Sequence, residues 1–399
     1  MRGSTAGLPE HFQGYNKSYN RILTVLDSLF SIVVVCPCVV GYWRSIWKLM
    51  EIYATPQGSE LLSALISTTI GMTGHLAFCF LQKVLEHTFH PYKNRILYYL
   101  VSRLYTVCFA FTCVNGWRGP WQLLELHAKY NKFTVLVTTV VSVAALVAIR
   151  CLRNVAAPPC LIVKDVVRGY FEVMTMFRLS MGEKTSLYIL DCLFSVLIVG
   201  TLVVFVWRGG WALLDIFVFP EDDVLSAWAS LILGYASVAI AFILQPVMRY
   251  LCERFSGTPR LLIADFFILF ALFGTINVWR GIWNLLNIYF LPENPELSCW
   301  ITHWVCLIIL ILLGCSNSLL VRGVYIDAEE PAGKCVVFPC YYLRIIFQGE
   351  KLKQLNLTSL TIQNVKVHVR DSEKAMENNH IVSVSTISTT IKQNHKENC

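Results

Sequence analysis

Charge is what this chain has least of. Only 15% of its 399 residues are Asp, Glu, Lys or Arg, against roughly 25% in an average soluble domain. With 55% hydrophobic residues beside that, a single soluble globule does not fit. Motifs that carry chemistry are lacking too: there is no phosphate-cradling Gly loop with Lys and Ser or Thr, no His-Glu-x-x-His and no Gly-x-Ser-x-Gly, which removes the nucleotide hydrolases, zinc proteases and serine hydrolases those patterns mark. The nearest approach to a metal cluster, Cys36-Pro37-Cys38, sits inside an apolar run without a neighbouring histidine. No catalytic residue, cofactor, metal or nucleic-acid partner is expected. The first 21 residues are polar and hold no apolar core before a small-residue cleavage site, so the first apolar run is expected to serve as its own insertion signal.

What the chain does have is apolar runs of about 18 to 25 residues, long enough to cross ~30 Å of hydrocarbon as helices. Eight follow one another, at roughly 22–42, 61–82, 96–114, 133–151, 187–206, 224–248, 260–278 and 299–321. Arg103 interrupts the third, and Thr and Ser dilute the fourth. The expected fold is an all-α polytopic membrane protein in a lipid bilayer. Fifteen Lys and Arg residues fall on the side that holds the N-terminus and the 83–95, 150–186 and 249–260 segments, against seven on the other, which puts both termini in the cytosol. Most of the 15 cysteines lie within spans or on that side, where thiols stay reduced. Cys335 and Cys340, just past the last span, are either palmitoylation sites or unmodified. The sequons at Asn16 and Asn356 fall in cytosolic tails and are not expected to carry glycans.

The most specific signal is internal repetition. Trp-Arg, two residues, then Trp occurs four times: Trp43-Arg44 with Trp47, Trp117-Arg118 with Trp121, Trp207-Arg208 with Trp211, and Trp279-Arg280 with Trp283. Each copy closes an odd-numbered span, so the unit reads as a helix, the motif, an outer loop and a returning helix. All four copies then share one orientation, as parallel repeats about an axis along the membrane normal. Residues 26–52 match 190–216 at thirteen of twenty-seven positions without a gap. This indicates four two-helix repeats arranged in two pseudo-symmetric halves. The boundaries read 1–21 N-terminal segment, 22–151 first half, 152–186 linker, 187–325 second half and 326–399 a tail of low hydrophobicity, largely disordered from 352 onward. Residues 165–180 form either an amphipathic helix on the inner surface or a plain linker.

Two indoles four residues apart share one face of a helix at headgroup depth. The arginine between them either anchors that depth over phosphate or an indole, with the glycines turning the chain, or belongs to a four-fold outer vestibule facing anions or a partner. Asp27, Asp191 and Asp265 recur near the inner ends of spans one, five and seven, and span three carries Arg103 at the register of Asp265. Intramembrane charge is expensive, at ~2.5 kcal/mol or more, and is usually paired. An Arg103–Asp265 pair would explain the exchange; first-turn capping by the carboxylates is the alternative. His75 and His303 read as packed, hydrogen-bonded histidines.

Val206-Trp207-Arg208-Gly209-Gly210-Trp211 and Asn277-Val278-Trp279-Arg280-Gly281-Ile282-Trp283-Asn284-Leu285 resemble the Fuseless family of eight-span membrane proteins, over about residues 20–327. The first copy departs at Ser45 and the second carries Pro120. The resemblance implies a non-enzymatic presynaptic organiser at the plasma membrane, needed for synaptic transmission, with a voltage-gated calcium channel or presynaptic scaffold as partner. The alternative is a transporter or channel with a path between the two halves.

Overall fold

The computed structural model describes residues 17–55, 58–128, 131–167, 169–179, 185–327 and 329–347. Among them there is no strand. The helices are α1 (Lys17–Phe30), α2 (Cys36–Tyr53), α3 (Glu60–Thr88), α4 (Arg95–His127), α5 (Lys132–Ala148), α6 (Thr185–Leu193), α7 (Gly200–Phe217), α8 (Asp223–Arg254), α9 (Gly257–Tyr289) and α10 (Pro295–Leu312). Single π-helical turns at Ser31–Val35 and Phe194–Val199 join α1 to α2 and α6 to α7. Seven stretches among the described residues are long and apolar enough to cross a membrane, Ile22–Tyr53 and Thr185–Phe217 each running through a π-turn. The remaining candidate, α5, has 17 residues, about 25 Å at 1.5 Å per residue, and falls short of that length. The sequons at Asn16 and Asn356 and the tail beyond 347 lie outside the described residues. Residues 17–342 belong to one compact unit; of the second, Leu343–Cys399, only the helical stretch 343–347 is described.

Within the first unit the motif helices α2, α4, α7 and α9 form an inner ring, and each packs far more extensively on one outer helix than on its ring neighbours. α4 lies on α3, α7 on α5, α9 on α8, and α10 closes the circle onto α2. The motif helix therefore packs against the helix before it, whereas the sequence unit joined it to the helix after it. The glycines explain this choice. A β-carbon on Gly281 would stand 2.7 Å from the Leu231 amide nitrogen of α8, one on Gly119 would stand 2.4 Å from that of Thr68 in α3, and one on Gly71 would meet Gly116 at 2.1 Å. Backbone contact of this kind needs small residues. The glycines thus sit inside continuous helices and let a neighbour approach, where the sequence reading had them turning the chain. The first copy has Ser45 instead, and its hydroxyl lies 3.3 Å from Nδ1 of His303 on α10.

The four outer helices start alike. Ser59, Asn131, Asp222 and Asn294 are their N-caps, and each side chain accepts an amide two or three residues on, satisfying a donor that the first turn leaves free.

Two straps, 150–179 and 314–342, fill the inner end of the ring. The described residues of 165–180 contain no helix, so the segment is not an amphipathic helix: Tyr170 and Phe171 are buried against the bundle, while Val166, Val167 and Phe177 stay exposed. The tail also begins later than expected. Residues 326–342 are part of the packed strap, with Cys335 and Cys340 at 5% and 3% exposure, which sequesters both thiols from acylation. Cys340 donates to the Pro159 carbonyl at 3.2 Å, and burial pushes its pKa well up.

Gly281→Ala is expected to destabilise the α8–α9 pair by about 1–3 kcal/mol through overpacking. Gly200→Ala, whose β-carbon would meet nothing nearer than 3.8 Å, should leave stability unchanged or raise it. Thermal melts of the two variants in detergent separate these outcomes.

Candidate functional site

The four first tryptophans meet on the ring axis. Trp43 and Trp117 have centroids 5.3 Å apart, Trp117 and Trp207 5.4 Å, Trp207 and Trp279 5.3 Å, and Trp279 and Trp43 5.6 Å, with planes 73–86° apart. The second tryptophans repeat this one turn on: Trp47–Trp121 at 5.6 Å, and Trp121–Trp211, Trp211–Trp283 and Trp283–Trp47 at 5.9 Å each, again near perpendicular. First meets first and second meets second, so the four helices run parallel at one height. An edge-to-face pair contributes about 0.5–1.5 kcal/mol beyond its buried area. The contacts close into two tetrads.

Three of the first-layer indoles also donate inward, Trp43 to Leu319 O at 3.1 Å, Trp207 to Val155 O at 2.9 Å and Trp279 to Pro158 O at 2.7 Å. The straps thereby supply the acceptors that buried N–H groups require. Between the first layer and the straps lies a space of about 20 Å³, and a second of about 80 Å³ lies beside Trp117 against both straps. Beyond the first layer the second surrounds a cavity of about 210 Å³, which Glu51, Glu125, Asp215 and Gln122 also line.

The arginines turn away from the axis. Arg44, Arg118, Arg208 and Arg280 are all buried, at 4% exposure or less, and Arg44, Arg118 and Arg280 bond to the outer helix on which their own helix packs. Arg118 donates to the Ser63 hydroxyl at 2.9 Å and the Ser67 hydroxyl at 2.6 Å. Arg280 meets Ser226 at 2.8 Å and Ser230 at 2.5 Å, and Arg44 meets Ser298 at 3.3 Å. These serines stand four or eight residues after the N-cap, so one capped start aims them at the guanidinium. On α5 the corresponding residues are Val135 and Thr139, and the first hydroxyl is missing there.

A second set of partners closes the ring sideways. Seven residues after each arginine stands Glu51, Glu125, Asp215 or Asn287. Arg44 Nε donates to Asn287 at 2.7 Å and Arg280 Nε to Asp215 at 2.7 Å, while Arg118 lies in electrostatic reach of Glu51 and Arg208 of Glu125. Each motif arginine thus serves the acid or amide of one ring neighbour, always in the same rotational sense.

The inner charges are distributed differently from the expectation. Arg103 pairs with Asp165 of the first strap and donates to Ser316 at 2.6 Å, and it makes no bond to Asp265. Asp165 caps the second strap's short 3₁₀ turn through the amides of Ser316 at 3.2 Å and Asn317 at 2.8 Å. Asp327 does the reverse, capping the first strap's turn through Leu152 and Arg153 at 2.8 and 2.9 Å. Burial pushes the Asp327 carboxyl above its ordinary range, against the lowering effect of those two amides. Asp265 sits in electrostatic reach of Asp327. Arg103 thus pairs with a strap aspartate, Asp265 has one in electrostatic reach, and neither of the two exchanged residues bonds to the other.

Asp191 accepts from Thr175 Oγ1 at 2.6 Å, the Phe177 amide at 3.0 Å and the Leu179 amide at 3.3 Å, and Asp27 accepts from the Tyr342 amide at 3.1 Å. Gln82 and Gln245 likewise take the Val173 and Phe338 amides at 2.9 and 2.8 Å. Helix carboxylates and amides here bind the straps. Asp165 and Asp327 went unmarked in sequence, because isolated aspartates on connecting segments look like solvated charge. His75 bonds to the Gly71 and Val321 carbonyls at 2.8 and 3.3 Å. Among the described residues no group of three or more His, Cys, Asp or Glu side chains is placed to hold a metal.

Removing a buried guanidinium leaves its carboxylate and hydroxyls unsatisfied, which costs about 3–5 kcal/mol when a buried pair is broken. Arg280→Ala should therefore lose most folded, membrane-extracted protein in size-exclusion profiles, while Arg249→Ala, an exposed i,i+4 partner of Glu253, should lose little. In a double-mutant cycle Arg103→Met and Asp165→Asn should couple by about 1–3 kcal/mol, whereas Arg103→Met and Asp265→Asn should add within about 0.5 kcal/mol. Coupling in the second cycle would restore the direct Arg103–Asp265 pair.

The family model described as Fuseless matches residues 22–320 of the chain. No curated protein and no solved structure matches it.

Proposed function

Because the chain belongs to the Fuseless family, we propose that it is a non-enzymatic plasma-membrane organiser with eight spans, both termini cytosolic, which holds voltage-gated calcium channels at presynaptic release sites through direct contact or a scaffold. The observation that carries this reading is the closed axis. A solute moving along it would have to pass two indole tetrads and then both straps, whose carbonyls are engaged by the indoles. The motif arginines, the strongest candidates for lining a path, are occupied in the helix seams. What the bundle offers a partner is its perimeter, where α3, α5 and α8 expose large apolar side chains including Leu65, Val140 and Ile243. Such a surface meets lipid or another membrane helix.

The test is whole-cell recording from cells expressing a voltage-gated calcium channel with and without this protein, together with surface labelling of the channel. The expected result is altered channel density or current amplitude with no current from the protein alone. A current that persists without the channel would overturn the organiser reading in favour of a conducting path.

A further inference from the structure

The outer cavity fits a ligand independently of any organising role. Its floor is the first indole tetrad and its walls are the second, and the carboxylates Glu51, Glu125 and Asp215 stand at its mouth. No basic side chain lines it: Lys48 is turned to Glu51 at 2.7 Å, and the guanidiniums of Arg44, Arg118 and Arg280 bond to serines of the outer helices. A molecule entering meets π surfaces and carboxylate oxygens, of which Glu51 is paired with Lys48 and Asp215 with Arg280. The indole faces repel anions, because the face of an aromatic ring carries the negative part of its quadrupole.

The second tetrad has the dimensions of a cation cage. Centroid spacings of 5.6–5.9 Å around a near-square leave its centre roughly 4 Å from every ring, inside the ~6 Å over which an indole face attracts a cation. In a closed circle of near-perpendicular rings each indole turns one face obliquely towards the axis, and these rings line the well. The second-layer rings are half-buried, and water is largely excluded on the floor side by the first tetrad. With about 210 Å³ of space, the well lies below the ~300–1,000 Å³ of drug-sized pockets and suits a compact head group.

We propose that this outer well is a binding site for a small organic cation with a quaternary or highly substituted ammonium head, held by the indole faces of Trp47, Trp121, Trp211 and Trp283 and oriented by the carboxylates at the mouth. A strongly hydrated inorganic cation gains less, since apolar walls offer it few oxygens in place of its water shell. An uncharged ligand of the same shape loses the cation–π attraction.

The experiment uses the full chain in nanodiscs, titrated with choline and with its neutral carbon isostere 3,3-dimethyl-1-butanol, reading tryptophan emission and heat of binding against sodium chloride at equal ionic strength. Choline should give a saturable change and bind at least about tenfold tighter than the isostere. Trp211→Ala should weaken choline at least about tenfold, Trp211→Phe less, and Glu125→Gln severalfold, with melting curves reporting the fold of each. If Trp211→Ala does not fold, the choline and isostere pair on the unmodified chain still decides. Absence of saturable binding overturns the proposal, as does equal binding of choline and isostere, which would mark an apolar well without charge selectivity.

Discussion

The closed circle of edge-to-face indole contacts is the constraint on which the other features depend. Lipid provides no hydrophobic force between helices, so association relies on close packing and on internal hydrogen bonds. Four indoles meeting at 5.3–5.6 Å on one axis fix how far apart the motif helices stand and which way each is rotated. Once the tryptophan faces inward, the arginine beside it, about 100° around a 3.6-residue helix, must face the seam with an outer helix. The seam therefore has to be narrow, which the glycines permit, and it has to carry hydroxyls, which the outer helices supply a fixed distance after their caps.

Departures from the pattern follow the same physics. Ser45 replaces glycine where the facing residue is His303, and the two hydrogen-bond where the other copies bring backbones together. Val135 replaces serine opposite Arg208, and that arginine's surroundings include Glu125 of the neighbouring motif helix. Asn287 stands where the other three copies have an acid and accepts from Arg44 at 2.7 Å. The ring keeps its rotational order of donors and acceptors although no two copies are chemically identical.

At the inner end the straps exchange caps. Asp165 of the first strap closes the turn of the second, and Asp327 of the second closes that of the first. Asp191, Asp27, Gln82 and Gln245 then fasten both straps to the helices. This explains why Asp27 and Asp191 stand at span ends: each accepts an amide from a segment that must be buried, and a buried amide without an acceptor is costly. An inner plug held this way and an indole layer above it leave a well of about 210 Å³ on the axis.

The sequence by itself determined the helical class, the recurrence of the tryptophan–arginine motif, its common orientation and the correspondence of residues 26–52 with 190–216, because hydropathy and local spacing are properties of contiguous residues. It also carried the family, through the motif itself. Only the tertiary structure decided that the indoles turn to the axis and the arginines away from it, that α4, α7 and α9 pack on an outer helix preceding them while α2 packs on α10, and that Arg103 answers Asp165 and not Asp265. Those choices depend on which backbones can approach and on partners far apart in the chain, as Trp43 and Leu319 are. A one-dimensional pattern shows that four arginines are equivalent; the contacts that satisfy a buried charge exist only once the circle is closed.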